Sequence, residues 1–426
     1  MRKKVATKKR FKILSMLFIT VVINYLDRSN ISVAAFAISD DLKLNSIQMG
    51  FIFSAFSWTY AGLQIPGGMI VDKVKARVIY TFMLVFWSIS TLVQGLVSSF
   101  GALIGLRASI GVFEAPSYPT NNAVVTKWFP EKDRATAIGI YTSGQYIGLA
   151  FLTPVLVSIQ NYMGWRGLFI VSGVIGLVWG GVWYVFYRDP ENYKGINESE
   201  LKYIKQDKKI EIDLETLIRK KFNWIDLKHA FSNRKLWGLY IGQFCLVALS
   251  IFFLTWFPTY LVQYRGLSFL QSGFLASIPF FAAFLGVLLS GLTSDYLIRK
   301  GYSKEISRKA PIIGGMLLST CIIGANYTDS TFFIIFFLAL AFFGNGFASI
   351  TWVFVSIMAP KKIIGLTGGV FNFFGGLAGV IIPIVIGYLV KDGDFKPALF
   401  FIGIVALIGV FSYVILVGSV KQILIK

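Results

Sequence analysis

Read as apolar and polar positions, the chain is a succession of long apolar runs with short polar breaks. The runs fall at about 12–36, 48–70, 78–97, 101–125, 134–158, 166–187, 237–263, 271–293, 309–327, 331–357, 364–388 and 397–418. Each is close to the length at which an α-helix crosses a hydrocarbon core of roughly 30 Å. Strands of a membrane barrel would be shorter and would alternate. The pattern therefore predicts an all-α integral membrane protein with twelve transmembrane helices in two six-helix halves. The one long polar stretch, 188–235, carries twelve basic and nine acidic residues and reads as a solvated linker with helical segments. It divides the chain into a first half at 1–187, the linker at 188–235 and a second half at 236–426.

The halves repeat. Ser46-Ile47-Gln48-Met49-Gly50-Phe51 precedes Gly68-Met69-Ile70-Val71-Asp72, and 223 positions later Phe269-Leu270-Gln271-Ser272-Gly273-Phe274 precedes Gly291-Leu292-Thr293-Ser294-Asp295. Parallel repeats of this kind put a substrate site near the midplane, between halves that rock about it. Each copy ends in Gly-x-x-x-Asp followed by bases, which resembles the loop signature of the major facilitator superfamily, although Lys75 stands where that signature has Gly. Asp72 and Asp295 are expected to gate, pairing across the halves in one state and releasing in another. The plainer alternative is a topology marker on a solvated loop.

Charge sharpens this picture. The chain is 55% hydrophobic and only 15% charged, with mean hydropathy +0.68 and a formal net charge of +20. The bases are not spread as a nucleic-acid surface would need. Of 41 Lys and Arg, 34 fall in the N-terminus, the even-numbered loops and the C-terminus, and five (Lys43, Arg166, Arg265, Lys391 and Lys396) in the odd-numbered loops. This is the positive-inside pattern, with both termini cytoplasmic in a cell-membrane protein. The basic N-terminal tip and first apolar run lack a small-residue cleavage site and hold Asp27-Arg28, so they read as a retained helix. Cys245 and Cys321 lie in predicted helices as small core residues, and the single His229 lies in the linker, so no metal site, disulfide or catalytic triad is expected.

The two remaining bases are buried in apolar runs. Arg28 follows Asp27 in the first, and Arg107 precedes Glu114 by two turns in the fourth. Charges at bilayer depth are costly and usually face a cavity or a functional partner. Two acids with two bases suit a site for an anion and a proton. Arg28 offers a planar fork to a carboxylate. Glu114, in low dielectric without a permanent partner, is a proton-carrier candidate, as is Asp27, with Arg107 the partner of either. The plainer readings are that Arg28 and Glu114 form a buried salt bridge, or that Glu114 is the ionised structural partner of Arg107. Pro116 and Pro119 make the segment after Glu114 irregular, which frees backbone groups for a cavity. Tyr60 with Gln64, Tyr141 with Gln145, and then Gln243, Ser349, Thr351, Trp352 and Asn372 supply neutral polar and aromatic groups. Singly such residues are helix–helix glue. Together they suit a polyhydroxylated solute.

Asn24-Tyr25-x-Asp27-Arg28, Gly105-Leu106-Arg107 through Phe113-Glu114-Ala115-Pro116, Pro119-Thr120-Asn121-Asn122, Tyr141-Thr142-Ser143-Gly144-Gln145 and Phe151-Leu152-Thr153-Pro154 resemble the anion:cation symporter family of the major facilitator superfamily, in its sugar-acid branch. The resemblance implies import of a hexonate, hexarate or hexuronate with protons, by alternating access. It implies coupling through Asp27, Glu114 and Arg107, and substrate contacts from Arg28, Tyr60 and Gln145. Gln243, Ser349, Thr351, Trp352 and Asn372 match it more loosely. The expected partners are a small organic anion and the bilayer, with no nucleic acid, no cofactor beyond coupling protons and a monomeric carrier. The alternatives are another organic anion, inorganic phosphate, a proton-antiport efflux carrier or a uniporter. An enzyme would need a catalytic constellation in the loops, and a receptor would not need the repeat. No GxxxxGK[ST] loop is present to bind ATP.

Overall fold

The computed structural model describes residues 7–71, 74–206, 224–360 and 363–423. In the first half, α1 is Lys9–Asp41, α2 Ser46–Val71, α3 Ala76–Gln94, α4 Phe100–Glu114, α5 Ser117–Trp128 and α6 Glu131–Phe186. The linker holds α7, Glu198–Lys205, and α8, Trp224–Phe231. The second half has α9, Arg234–Thr255, which runs on through Phe257–Thr259 and Tyr260–Tyr264. It is followed by α10, Phe269–Arg299, and α11, Lys304–Ser319, which tightens into a 3₁₀ segment at Thr320–Tyr327. Then come α12, Thr331–Phe347, α13, Trp352–Met358, α14, Ile364–Leu389, and α15, Lys396–Phe411.

These helices make twelve rods, as the apolar runs predict. Two rods are each built of two helices. Pro116, which has no N–H to donate, separates α4 from α5, and a short 3₁₀ turn at Ser349–Thr351 separates α12 from α13. Conversely α6 is two rods in one. Gly164 bends it with φ 69, a left-handed conformation that glycine adopts without a Cβ penalty. By length and hydropathy eight of the described helices can cross a membrane, α6 among them. The helix α1 carries Asp27 and Arg28 within its span.

The linker helix α7 is tied to the start of α1. Glu200 is fully buried and accepts hydrogen bonds from the Thr7 hydroxyl at 2.6 Å and from the backbone N–H groups of Lys9 at 3.0 Å and Arg10 at 3.1 Å. It thus satisfies donors that a helix start leaves unpaired and places negative charge where the helix dipole favours it.

The halves meet along two seams, α2 with α14 and the first arm of α6 with α10. Both seams are tight at the side away from the linker, here called the distal side. A Cβ on Gly387 would stand 2.6 Å from the Ser46 carbonyl oxygen, one on Gly50 2.6 Å from that of Pro383, and one on Gly376 2.8 Å from the Ala61 Cβ. Gly376 and Gly387 lie on one face of α14. Followed toward the linker, that face reaches Asn372, which is exposed, and then Gly369 and Gly365, which have nothing within 4 Å. The other seam behaves alike. Gly273 packs on Val157 at 2.8 Å, but Gly291 and Gly139, each about five turns along the same helices toward the linker, face open space. The molecule is therefore closed on the distal side and open on the linker side.

Candidate functional site

The charged residues of the first half converge. Arg28 Nε donates to Glu114 Oε2 at 2.9 Å, with the two side chains 10% and 0% exposed. The second oxygen of Glu114 has no hydrogen-bond partner among the described residues. Glu114 ends α4, where the helix dipole is negative, so the guanidinium is the compensating charge. Three aromatic rings hold that guanidinium in place. Its carbon lies 4.6 Å from the ring centre of Tyr60, 4.7 Å from Phe56 and 5.1 Å from Tyr25. Phe56 and Tyr60, one turn apart on α2, stack at 5.0 Å and form the wall beneath it. Such rings attract a cation without consuming its donors, so Arg28 keeps its Nη2 unpaired.

Arg107 is buried and donates from Nη1 to the Asp27 carbonyl oxygen at 3.4 Å. Its guanidinium carbon stands 5.5 Å from the Phe56 ring centre. Of the two pairings of Glu114 that the sequence left open, that with Arg28 is made and that with Arg107 is not. Seven residues of helix separate Arg107 from Glu114 by roughly 10 Å along the axis, while Arg28 projects from α1 at the level of Glu114. Asp27 is fully buried, and neither carboxylate oxygen has a hydrogen-bond partner among the described residues. Glu114, Arg107 and the Trp87 indole are its polar neighbours.

Close approach of α4 to α2 lets this cluster form. A Cβ on Gly111 would fall on the Phe56 carbonyl and the Thr59 hydroxyl, and Thr59 Oγ1 donates to the Ala108 carbonyl at 2.7 Å. Asn24, beside the cluster on α1, is buried without a partner for its amide.

The second half contributes at the α2–α14 seam. Thr351 Oγ1 donates to Gln243 Oε1 at 3.1 Å. Gln243 also packs on Gly375, whose neighbour Gly376 touches Ala61, next to Tyr60. The Gln243–Thr351 pair thus lies across the seam from Tyr60. Ser349 is half-buried in the turn before α13. Trp352 is 47% exposed and sets its ring edge-on to Phe371 at 5.1 Å. Asn372 is exposed on the open part of the α14 face. Gln145 is half-buried on the α6 arm that packs on α1 through Gly144 and Gly148, against Phe18 and Val22. Tyr141 is directed elsewhere, donating to Asn122 Oδ1 at 2.7 Å.

Asp72 lies outside the described residues. Asp295 does not reach the other half. It accepts from Arg308 Nη1 at 3.1 Å, on the next helix of its own half, because the halves stand apart on the linker side. Both cysteines are free, Cys245 buried and Cys321 half-buried, and no cluster of three metal-ligating residues occurs among the described residues.

Sequence reasoning gave no role to the Phe56 and Tyr25 rings around Arg28 or to the buried amides Asn24 and Asn30, although Asn24 and Tyr25 stand in the first-helix motif. The signal was present: Phe56 and Tyr60 share an i,i+4 face, and Asn24, Asp27 and Asn30 recur every third residue.

Comparison with known proteins agrees with this architecture. Residues 17–383 match the family model described as Major Facilitator Superfamily. The chain is 51% identical to the D-galactonate transporter of Escherichia coli O6:H1, over 98% of this chain and 97% of that one. It is 41% identical to the probable galactarate/D-glucarate transporter GudP of Bacillus subtilis, over 99% and 94%. Among solved structures, a bacterial homologue of the human lysosomal transporter Spinster, inward-facing and occupied, superposes with a TM-score of 0.75 at 18% identity, over 96% of this chain and 97% of that one. A twelve-rod helical fold, an internal repeat and a charged cluster at its centre are what a multi-pass membrane transporter, not an enzyme, requires, and the chain belongs to the Major Facilitator Superfamily.

Proposed function

We infer that the protein imports a sugar acid, a hexonate such as D-galactonate or a related hexarate or hexuronate, together with protons across the bacterial cell membrane. The single observation that carries this reading is the Arg28–Glu114 pair at 2.9 Å. One buried guanidinium serves two carboxylates, that of Glu114 and that of the substrate. When Glu114 is ionised it holds Arg28. When it takes a proton it releases Arg28 to the incoming anion. Proton and substrate then load together without leaving an unpaired charge in low dielectric.

The names of the relatives supply the substrate class. Tyr60, Gln145, Gln243, Ser349, Thr351, Trp352 and Asn372 are the groups assigned to the substrate's hydroxyls and carbon skeleton, and Asp27 and Arg107 join Glu114 in coupling. The excess of Lys and Arg on the linker side makes that side cytoplasmic, so the open side faces inward. On this reading Asp72 and Asp295 act at the cytoplasmic gate, no cofactor is required, and the carrier works as a monomer.

The test is uptake into proteoliposomes under an imposed pH gradient, acid outside, with labelled hexonates, hexarates, hexuronates and inorganic phosphate offered separately. Accumulation of a sugar acid that collapses when the gradient is dissipated is expected. Accumulation of phosphate alone, or equilibration without accumulation, would overturn the reading.

A further inference from the structure

We propose that α3 and α1 hold between them a file of water molecules that carries protons from the distal face to Asp27, apart from the cavity between the halves. The proposal rests on the proton-coupled reading above. It starts from four buried side chains to which the proposed function gives no role. Trp87, Thr91 and Gln94 of α3 and Asn30 of α1 are each 0% exposed. The Thr91 hydroxyl and both amide atoms of Gln94 and Asn30 have no hydrogen-bond partner among the described residues, and the Trp87 indole is turned to Asp27. Buried polar groups are almost always paired, with protein or with ordered water.

Their register makes a line. Trp87 of α3 stands beside Asp27 of α1, which sets the level of the line on α3. Thr91 and Gln94 follow Trp87 at i+4 and i+7, one and two turns toward the distal end on the same face of α3. Asn30 stands one turn distal of Asp27 on α1. Thr91 does not even return its hydroxyl to the preceding turn, as Ser90 beside it does to the Phe86 carbonyl at 2.9 Å. The line ends at Gln94, the last residue of α3, from which the chain emerges at exposed Leu96. The charged groups facing Asp27 are Arg107 and Glu114 of α4. The polar contact of α6 with α1, the Trp179 indole on the Thr20 hydroxyl at 2.8 Å, lies about two turns toward the linker.

The second half shows that the fold does not need these groups. At the repeat offset, Asp27 and Asn30 correspond to Ser250 and Phe253. Ser250 is satisfied by Asn345 Nδ2 at 2.7 Å, and Phe253 stacks on Phe342 at 4.1 Å. At these two positions the second half finds its partners within the protein. On the distal side the α6–α10 seam holds a cavity of about 10 Å³ lined by Ser32, Phe36, Val157 and Gly273, room for about one water. Along the file each water accepts one proton and passes one on. A hydronium at the distal mouth becomes water, and the proton ends on an Asp27 carboxylate oxygen, with no electron transferred.

The experiment compares wild type with Gln94→Leu, Thr91→Val and the double variant in proteoliposomes. Counterflow of unlabelled against labelled substrate, which needs no change of protonation, should run at the wild-type rate. Proton-driven uptake should fall several-fold in each single variant and further in the double, and should recover as the external proton concentration is raised. Wild-type proton-driven uptake in the double variant would overturn the proposal. Radiolytic footprinting of the wild-type protein reads bound water without reference to coupling or to the variants' folding. Trp87 should be oxidised several times faster than Trp256, which is equally buried but donates to the Pro383 carbonyl at 3.1 Å. Equal protection of the two would overturn the proposal. Absence of proton-driven uptake in wild type, with Trp87 labelled, would instead remove the coupled reading and leave a hydrated file.

Discussion

Glu114→Gln separates coupling from transport. The substitution is isosteric, and its amide oxygen can still accept the Arg28 Nε that now lies 2.9 Å from Glu114 Oε2. What disappears is one negative charge and one proton-binding site. Asp27, Arg28, Arg107 and Glu114 sum to zero when all are ionised; in the variant they sum to +1. Losing a buried partner outright costs roughly 3–5 kcal/mol, and the retained hydrogen bond keeps the loss below that range. The surplus positive charge is what a bound anion neutralises, so substrate should raise the thermal midpoint of the variant more than that of wild type. Each proton taken up with substrate makes binding weaken about tenfold per unit rise in pH, roughly 1.4 kcal/mol. The variant should lose one proton's share of that slope, measured by calorimetric titration across pH. Because it stays in the form that binds substrate, loaded transitions continue and counterflow survives. The empty carrier can no longer shed the proton that resets it, so net proton-driven accumulation collapses. Loss of counterflow in a variant that reconstitutes normally, or persistence of accumulation, would refute the reasoning.

Arg28→Ala should weaken substrate binding by about 3–5 kcal/mol, the cost of stranding a buried anion, and Arg28→Lys should recover little because the fork is lost; calorimetry reads both. Gly111→Ala should destabilise the first half by about 1–3 kcal/mol, since its Cβ would meet the Phe56 carbonyl and Thr59, seen as a lower thermal midpoint without a change in pH dependence. At the distal surface, beyond the predicted span of α1, the Arg166 hydrogen bond, with help from Trp165, holds Asp41 below the usual carboxylate range. A lowered carboxylate contributes stability at neutral pH that is lost as pH falls through its own pKa. Asp41→Asn should therefore flatten the acid side of the stability profile, and an unchanged profile would remove the Asp41–Arg166 clasp from the account.

The rods were legible from apolar run length alone, because a membrane leaves a helix few alternatives. The joints were partly legible. Pro116 marked the α4–α5 break, but the turn at Ser349–Thr351 carries no proline or charge and follows from packing against α10 and α11. The acids and bases stood out because charge in an apolar run is costly. Their pairing did not. The sequence left Glu114 either Arg107, two turns back on its own helix, or Arg28, and the structure bonds it to Arg28 across helices, a choice set by the depth at which α1 meets α4. Gln94 was invisible for a different reason. An amide in a helix reads as glue between helices, and only the lack of any partner distinguishes it from glue.

The charge count around Arg28 also constrains what the carrier moves. With both acids ionised the empty cluster is neutral. A monoanion arriving with one proton keeps it neutral, and a second proton leaves it at +1. A dianion needs two protons for neutrality. If Arg28 is shared between Glu114 and substrate, the neutral loaded state for a hexonate carries one proton. Two protons would add a charge that the membrane potential drives inward, worth roughly 2.3 kcal/mol per 100 mV. Hexonate uptake at fixed pH gradient, with the potential set by potassium and valinomycin, distinguishes the two. We expect uptake to rise with inside-negative potential, since Asp27 and Glu114 are both buried beside the site and each has an oxygen without a partner. Uptake indifferent to potential would assign a single proton to hexonate and leave Asp27 without a coupling role.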